Sequence, residues 1–328
     1  MSAESGIDRR AVLAGAAGAL AATPALAQQQ PAAPPRAKGP LVFMDYDQAE
    51  LDAAYDQVAY APNEEQILRR YASNSELTRQ RLGQPERLAY GPSEIERLDV
   101  FRPKRSRAPI HIYIHGGAWR GGAAKDYAFP ADMFVAAGAV YVVLDFVPVQ
   151  NAFGNLAPMV EQVRRAIAWV YRNAVRFGGD RDRIHACGHS SGGHLCAVAL
   201  ATDWNDHGVP GDVIKSAICI SGLYDLKPVR LSARSSYVKL NDATEEQLSP
   251  IRHLDKLKTP LAVFYGSNET PEFQRQNRDF AAAVEAAGKP VQLTRAENYN
   301  HYELMETLAN PQGIVGRVAL AQMKLGPG

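Results

Sequence analysis

The chain has 328 residues, 46% of them hydrophobic and 22% charged, enough to bury a large core as one α/β domain or two small ones. With 36 basic residues against 35 acidic ones the net charge is +1, and no basic stripe stands out, which argues against nucleic acid as a partner. The cluster Arg102-Pro103-Lys104-Arg105-Ser106-Arg107 reads as a solvated loop.

The N-terminus reads as a targeting segment. Asp8-Arg9-Arg10 precedes an apolar, small-residue stretch from Ala11 to Ala22, and Ala25-Leu26-Ala27 forms an A-x-A cleavage pattern before Gln28. The apolar run is shorter than the roughly 20 residues that span a bilayer. The arginine pair points to a twin-arginine export signal over residues 1–27. The expectation is a periplasmic protein, exported folded and with no stable membrane anchor once the signal is removed. Residues 28–40, rich in Pro and Gln, read as a linker, and residues 41–328 as a single domain.

Within that domain, Asp47 to Gln80 reads as polar helical arms. Strands follow at Ile95 to Phe101 and Ile110 to Ile114, and the nearly all-apolar run Ala139 to Phe146 reads as a buried parallel strand. Met159 to Arg176 carries its apolar residues on one helical face. Next come a strand at Ile184 to Cys187, a helix-like run from His194 to Ala201, and strands at Ile214 to Ile220 and Leu261 to Tyr265. The polar segment Lys227 to Gln247 reads as a helical excursion over the C-terminal edge of the sheet. Glu272 to Ala287 is helical, and Val291 to Thr294 is a last short strand. Strands alternating with helices predict an α/β fold with one doubly wound, mostly parallel sheet and helices on both faces.

The most informative run is Gly188-His189-Ser190-Ser191-Gly192, a G-x-S-x-G pattern between a strand and a helix. A sharp strand-to-helix turn lifts the serine hydroxyl out of the backbone, and glycine is needed where a side chain would clash. The following helix turns its free N–H groups toward the negative charge that develops in acyl transfer. Ser190 is therefore the candidate nucleophile. Ser191 is the weaker one, because a frame centred on it would need glycine where His189 stands.

A serine hydroxyl needs a base, and the base needs an orienting acid. In the α/β-hydrolases, whose nucleophile elbow this run resembles, the chain order is serine, acid, histidine. Of the histidines after Ser190, His194 is too close in sequence to turn back. His207 lies in a polar loop, and His253 precedes the strand at 261. Only His301 follows the last strand, so it is the candidate base. The acid is expected after the strand Leu261 to Tyr265, where Glu269 and Glu272 stand. Glu272 falls in the first turn of a helix, where an acid also serves the macrodipole, so Glu269 is preferred. Asp225, after the strand ending near Ser221, is the reserve.

The run His115-Gly116-Gly117-Ala118-Trp119 follows a strand and lets the backbone approach a carbonyl. The N–H groups around Gly116 and Gly117, with that of Ser191, are the candidate oxyanion hole. Trp119, Tyr224 and Tyr302 are candidate walls for an aryl or acyl group, with core packing the competing reading. His111 and His115 are four apart in a strand, about 13 Å, too far to chelate one ion. Cys187, Cys196 and Cys219 read as small buried hydrophobes. No cofactor and no metal is expected, and the partner is a small-molecule substrate.

These stretches together resemble the kynurenine formamidase (arylformamidase) branch of the α/β-hydrolases, near the carboxylesterase and lipase group that shares the HGG motif. His115-Gly-Gly-Ala-Trp119 is close to the family's H-G-G-x-W. Gly188-His-Ser-Ser-Gly-Gly-His194 is similar to its elbow, where Ala often replaces Ser191. Glu269-Thr-Pro-Glu-Phe-Gln-Arg-Gln276 is similar to its acid-S/T-P-E-F-x-R-Q, and Asn300-His301-Tyr302 to its N/D-H-F. The resemblance spans about Tyr46 to the C-terminus. It implies an α/β-hydrolase fold with Ser190, Glu269 and His301 as nucleophile, acid and base. It also implies metal-free hydrolysis of N-formylkynurenine or short esters. The family's acid is often Asp, and Glu269 reaches one methylene further. The export signal sets this chain apart from a cytoplasmic route of tryptophan breakdown.

Overall fold

Eight strands, β1 (Glu86–Ala89), β2 (Arg97–Phe101), β3 (Ala108–Ile114), β4 (Val140–Leu144), β5 (Gly179–His189), β6 (Ile214–Ile220), β7 (Leu261–Asn268) and β8 (Val291–Asn300), make one sheet in the order β8-β7-β6-β5-β3-β4-β2-β1. This is a computed structural model describing residues 37–326. β1 and β2 are antiparallel to their neighbours, and every other pairing is parallel. The chain continues from Gly39 onward as one compact unit, and of the preceding unit, residues 1–38, only Ala37 and Lys38 are described. The export signal expected over residues 1–27, and most of the linker expected over 28–40, lie outside the described residues.

The helices are α1 (Gln48–Ala53), α2 (Glu64–Leu82), α3 (Ala131–Ala136), α4 (Ala157–Asn173), α5 (Ser191–Leu200), α6 (Lys227–Leu231), α7 (Asp242–Leu248), α8 (Pro271–Ala286), α9 (Glu303–Glu306) and α10 (Gly316–Gln322). β3 and β4 are buried along their whole length, which is why β4 reads as an unbroken apolar run and β3 as one broken only by His111. Two apolar cores flank the sheet. One packs α4, α5 and α8 against residues such as Ile110, Ile112 and Val142, the other packs α3 and α10 against Tyr113, Tyr141 and Phe264. This is the doubly wound α/β architecture that the alternating pattern predicts, and the α/β-hydrolase fold that the resemblance implies.

The predicted strands and helices are all present, with ends shifted by a few residues. β8 runs six residues beyond the expected Thr294, because its polar tail still pairs with β7. β1 is absent from the sequence reading. It is an edge strand with only Leu88 buried, so it carries no apolar run. Lys227 to Gln247 does fold as short helical pieces, α6, a 3-10 turn at Ala233–Ser236, and α7. All three cysteines are buried and unpaired. Among the described residues, no helix is long and apolar enough to cross a membrane, and no cluster of three or more His, Cys, Asp or Glu side chains is placed to hold a metal.

Candidate active site

Ser190 sits at φ +57°, ψ −124°, between β5 and α5. L-residues rarely hold that conformation, and the neighbours enforce it. A Cβ on Gly188 would lie 2.1 Å from the Gly192 carbonyl oxygen, and one on Gly192 would lie 2.1 Å from that of Ile114. Larger residues at either position would open the turn. The Ser190 N–H donates to the Ile220 carbonyl at 2.8 Å, tying the elbow to β6.

The loop after β3 lies directly against this turn. A Cβ on Gly116 would come within 2.8 Å of the His189 carbonyl oxygen and 3.0 Å of Ser190 Cβ. Gly117, Ala118 and Trp119 all have positive φ, at +114°, +54° and +61°. The last two are costly for L-residues, so the loop needs outside support. It has that support at Trp119. The backbone N–H of Trp119 donates to Ser191 Oγ (3.1 Å), and its indole N–H donates to His194 Nδ1 (3.2 Å). His194 in turn donates from Nε2 to the Leu248 carbonyl (2.8 Å). Burial pushes the His194 imidazole down to about 4, so it stays neutral and keeps one acceptor nitrogen for Trp119.

His301 follows β8 and is 3% exposed. Its Nδ1 lies 3.0 Å from Glu269 Oε2. The other carboxylate oxygen of Glu269 accepts from Ser221 Oγ and from the Gly266 N–H, each at 2.6 Å. Glu269 is fully buried and has both oxygens engaged, so its carboxylate has one orientation, toward the imidazole. Behind His301 lies His189, whose Nε2 donates to the His301 carbonyl at 2.8 Å, with the two rings 4.6 Å apart. Burial, reinforced by the neighbouring His301, holds the His189 imidazole well below its usual range. Neutral His189 therefore fixes the backbone of His301. Asn300 closes the same loop, accepting from the Tyr302 and Glu303 N–H groups and donating to Asn63.

Ser190, His301, Gly117 and Ala118 line one cavity of about 310 Å³. Many of its other walls come from outside the strand-end loops. Tyr55, Gln57, Glu64 and Tyr71 belong to the N-terminal arm, and Arg234 follows α6. Together these segments form a cap. Tyr302 also lines the cavity, edge-on to His301 at 5.0 Å, and its hydroxyl donates to Glu64 Oε1 at 2.5 Å.

Two of the three candidate wall residues lie in the core, their competing reading, and the reserve acid lies away from His301. Tyr224 is fully buried, stacked 4.0 Å from Phe280 with its hydroxyl on Asn277, and does not line the cavity. Trp119 is also absent from the lining, because its indole is spent on anchoring the glycine loop. Asp225 is not beside His301. Its carboxylate caps the Lys227 N–H and pairs with Arg252 at 3.3 Å. Glu272 is likewise structural, paired with Arg275 at 2.7 Å and reached by the Tyr55 hydroxyl at 3.3 Å. Gln276, four residues after Glu272, accepts from the Tyr224 and Asp225 N–H groups and so holds the loop after β6. Ser221, His189 and the cap residues were not singled out. Only Ser221 had a signal, its place at the end of a predicted strand facing the site.

The BD-FAE family matches residues 98–283, more than half of the chain. The chain belongs to the BD-FAE family. Within it the chain falls in the formamidase-like group of HGG-motif α/β-hydrolases. It is 32% identical over 238 residues to the kynurenine formamidase of Danio rerio, covering 70% of this chain and 79% of that protein. It is 30% identical over 248 residues to esterase LipQ of Mycobacterium tuberculosis, covering 67% of this chain and 58% of LipQ. The crystal structure of a putative thioesterase from Silicibacter sp. superposes with a TM-score of 0.71 at 23% identity, covering 82% of this chain and 98% of that one. That likeness is one of fold. Membership of this BD-FAE group makes the protein a hydrolase of esters or formamides.

Proposed function

We propose that this BD-FAE protein is a serine hydrolase that cleaves an aryl formamide or a small ester through an acyl-enzyme, with an N-formylkynurenine-type formamide the favoured substrate. The carrying observation is that Ser190 on its strained elbow and His301 on Glu269 open into one cavity beside the Gly116-Gly117 loop. His301 takes the Ser190 proton as the hydroxyl oxygen attacks the carbonyl. Glu269 holds the imidazole in the tautomer with its free nitrogen toward Ser190 and stabilises the imidazolium that forms. Backbone N–H groups around Gly116, Gly117 and Ser191 hold the oxyanion. His301 then protonates the departing amine or alcohol, and water repeats the sequence on the acyl group.

The cavity's tyrosines, Tyr55, Tyr71, Tyr127 and Tyr302, favour an aryl group, as does the similarity to a kynurenine formamidase. Similarity to an esterase supports a second reading, hydrolysis of short-chain or aryl esters. The twin-arginine pattern supports action in the periplasm. Formate release from N-formylkynurenine, measured against hydrolysis of 4-nitrophenyl acetate, decides between the substrates. Labelling by a fluorophosphonate, present in the wild type and lost in Ser190→Ala, tests the nucleophile. Cleavage of neither substrate, or equal labelling of both proteins, overturns the reading.

A further inference from the structure

Among the described residues, a few buried side-chain nitrogens have no hydrogen-bond partner: Gln57 Nε2, both nitrogens of His111, His115 Nε2 and Arg234 Nη1. The histidine atoms belong to aromatic stacks, His111 against Phe134 and Tyr141, His115 against Tyr127 and Phe146. Gln57 and Arg234 are different, because both side chains line the cavity that holds Ser190 and His301.

Both orphan atoms are donors, and both side chains are fixed. Gln57 is 5% exposed, and its Oε1 accepts from the Thr270 N–H at 3.2 Å. That bond sets the amide's orientation and leaves Nε2 as the free end. Arg234 donates from Nη2 to the Tyr55 carbonyl at 3.1 Å, and its guanidinium lies 5.1 Å from the Tyr55 ring and 5.7 Å from the Trp119 ring. The two donors are thus tied to the same short turn, residues 54–57. The carboxylates on this wall are Asp56, which accepts from the Val58 N–H, and Glu64, which accepts from the Tyr302 hydroxyl. Neither forms an ion pair with Arg234 among the described residues.

We propose that Arg234 and Gln57 form a subsite for a carboxylate carried by the substrate, making them specificity-determining residues. A planar guanidinium and a second fixed donor lining the same cavity match the two oxygens of a carboxylate. A substrate without that group leaves both donors buried and unpaired, which is how such a site rejects the neutral analogue. The proposal rests on the acyl-transfer reading of the cavity and narrows it to substrates that carry a carboxylate.

The test uses the full chain and has two arms. In the first, formate release is followed from N-formylkynurenine and from its α-carboxyl methyl ester. Wild type is expected to favour the free acid. Arg234→Gln is expected to lower the acid-to-ester ratio of kcat/KM about 30-fold and Gln57→Leu about 5-fold, with Arg234→Lys retaining part of the preference. No preference in the wild type, or the same loss on both substrates in Arg234→Gln, overturns the subsite. In the second arm, calorimetry compares 3-phenylpropionate with 3-phenylpropionamide. The acid is expected to bind about tenfold more tightly, and Arg234→Gln to erase the difference. Equal binding overturns the subsite whether or not the protein turns over. Absent turnover and absent Ser190 labelling, by contrast, overturn the hydrolase reading while the calorimetry still judges Arg234 and Gln57.

Discussion

The floor of the cavity and its cap are built by different means. The floor consists of the loops after β3, β5, β7 and β8, where close glycine contacts fix the turns while longer bonds, such as Trp119 to Ser191 and His189 to His301, join one loop to the next. Gly188 and Gly192 close on each other, and Gly266 donates to Glu269 three residues on. The cap is held almost entirely by long-range bonds. Gln48 donates to the Leu231 carbonyl, the Ala233 N–H donates to Asp52, Arg234 reaches Tyr55, and Thr270 Oγ1 donates to the Ala54 carbonyl at 2.7 Å. Short-range constraint leaves a motif in the sequence, whereas long-range pairing does not. Chemistry is accordingly expected to live in the floor and selectivity in the cap.

Substitutions can separate the two regions. Ser190→Ala should have the largest effect, lowering kcat by about 10⁴-fold or more while leaving the thermal midpoint near that of the wild type. Glu269→Ala should cost about 10³-fold in kcat. Asp225→Asn, on the cap side of β6, should change kcat by less than about threefold, because its partner is Arg252. If Asp225→Asn proves the more damaging, the division between floor and cap fails at its central residue.

Ser191→Ala leaves the Trp119 N–H without its acceptor and loosens the glycine loop, so kcat should fall about tenfold with KM little changed. Tyr302→Phe removes the bond to Glu64 that joins floor to cap. A rise of about threefold in KM at nearly constant kcat is expected, and a fall confined to kcat would place Tyr302 with the chemistry instead.

The smallest expected effects are on stability, and they fall in the core beneath both regions. Burial pushes the His111 imidazole down to about 3, with His185 adding to it, and its ring nitrogens have no partner. Its unfolded-state value is near 6.5, so below that pH the unfolded chain takes up a proton that the folded one refuses. The contribution is absent above pH 6.5 and destabilises progressively as pH falls toward 3, by about 1.4 kcal/mol per pH unit for each such histidine. Burial holds His185 and His194 near 4 and adds two more groups of the same sign. His111→Phe should therefore raise stability at pH 7 by about 1 kcal/mol and flatten the acid limb of a denaturation series between pH 6.5 and 4. An unchanged acid limb would show that His111 finds a partner.

The legible parts share one property. β4 announces itself as an unbroken apolar run because it is buried along its whole length, and β3 and β6 as mostly apolar runs interrupted only by His111 and by Lys215 and Ser216. The elbow and the His115-Gly116-Gly117 loop announce themselves because only glycine fits where another backbone comes within 3 Å. Glu269 and His301 were reached from chain order. Tyr224 and Trp119 fall to their competing reading, core packing, because strand-end position says that a residue is near the site, not which way it points.

The amino-acid sequence alone determines the order of strands and helices, the strained turn at Ser190 and the glycine loop beside it, since these follow from local sterics and apolar periodicity. Which acid meets His301, and which side chains close over Ser190, is decided only in three dimensions. The Glu269–His301 contact spans 32 residues, the Arg234–Tyr55 contact 179 and the Tyr302–Glu64 contact 238. No periodicity in the chain encodes a pairing at such distances. It is settled when the sheet brings the strand ends together and the arm folds back across them.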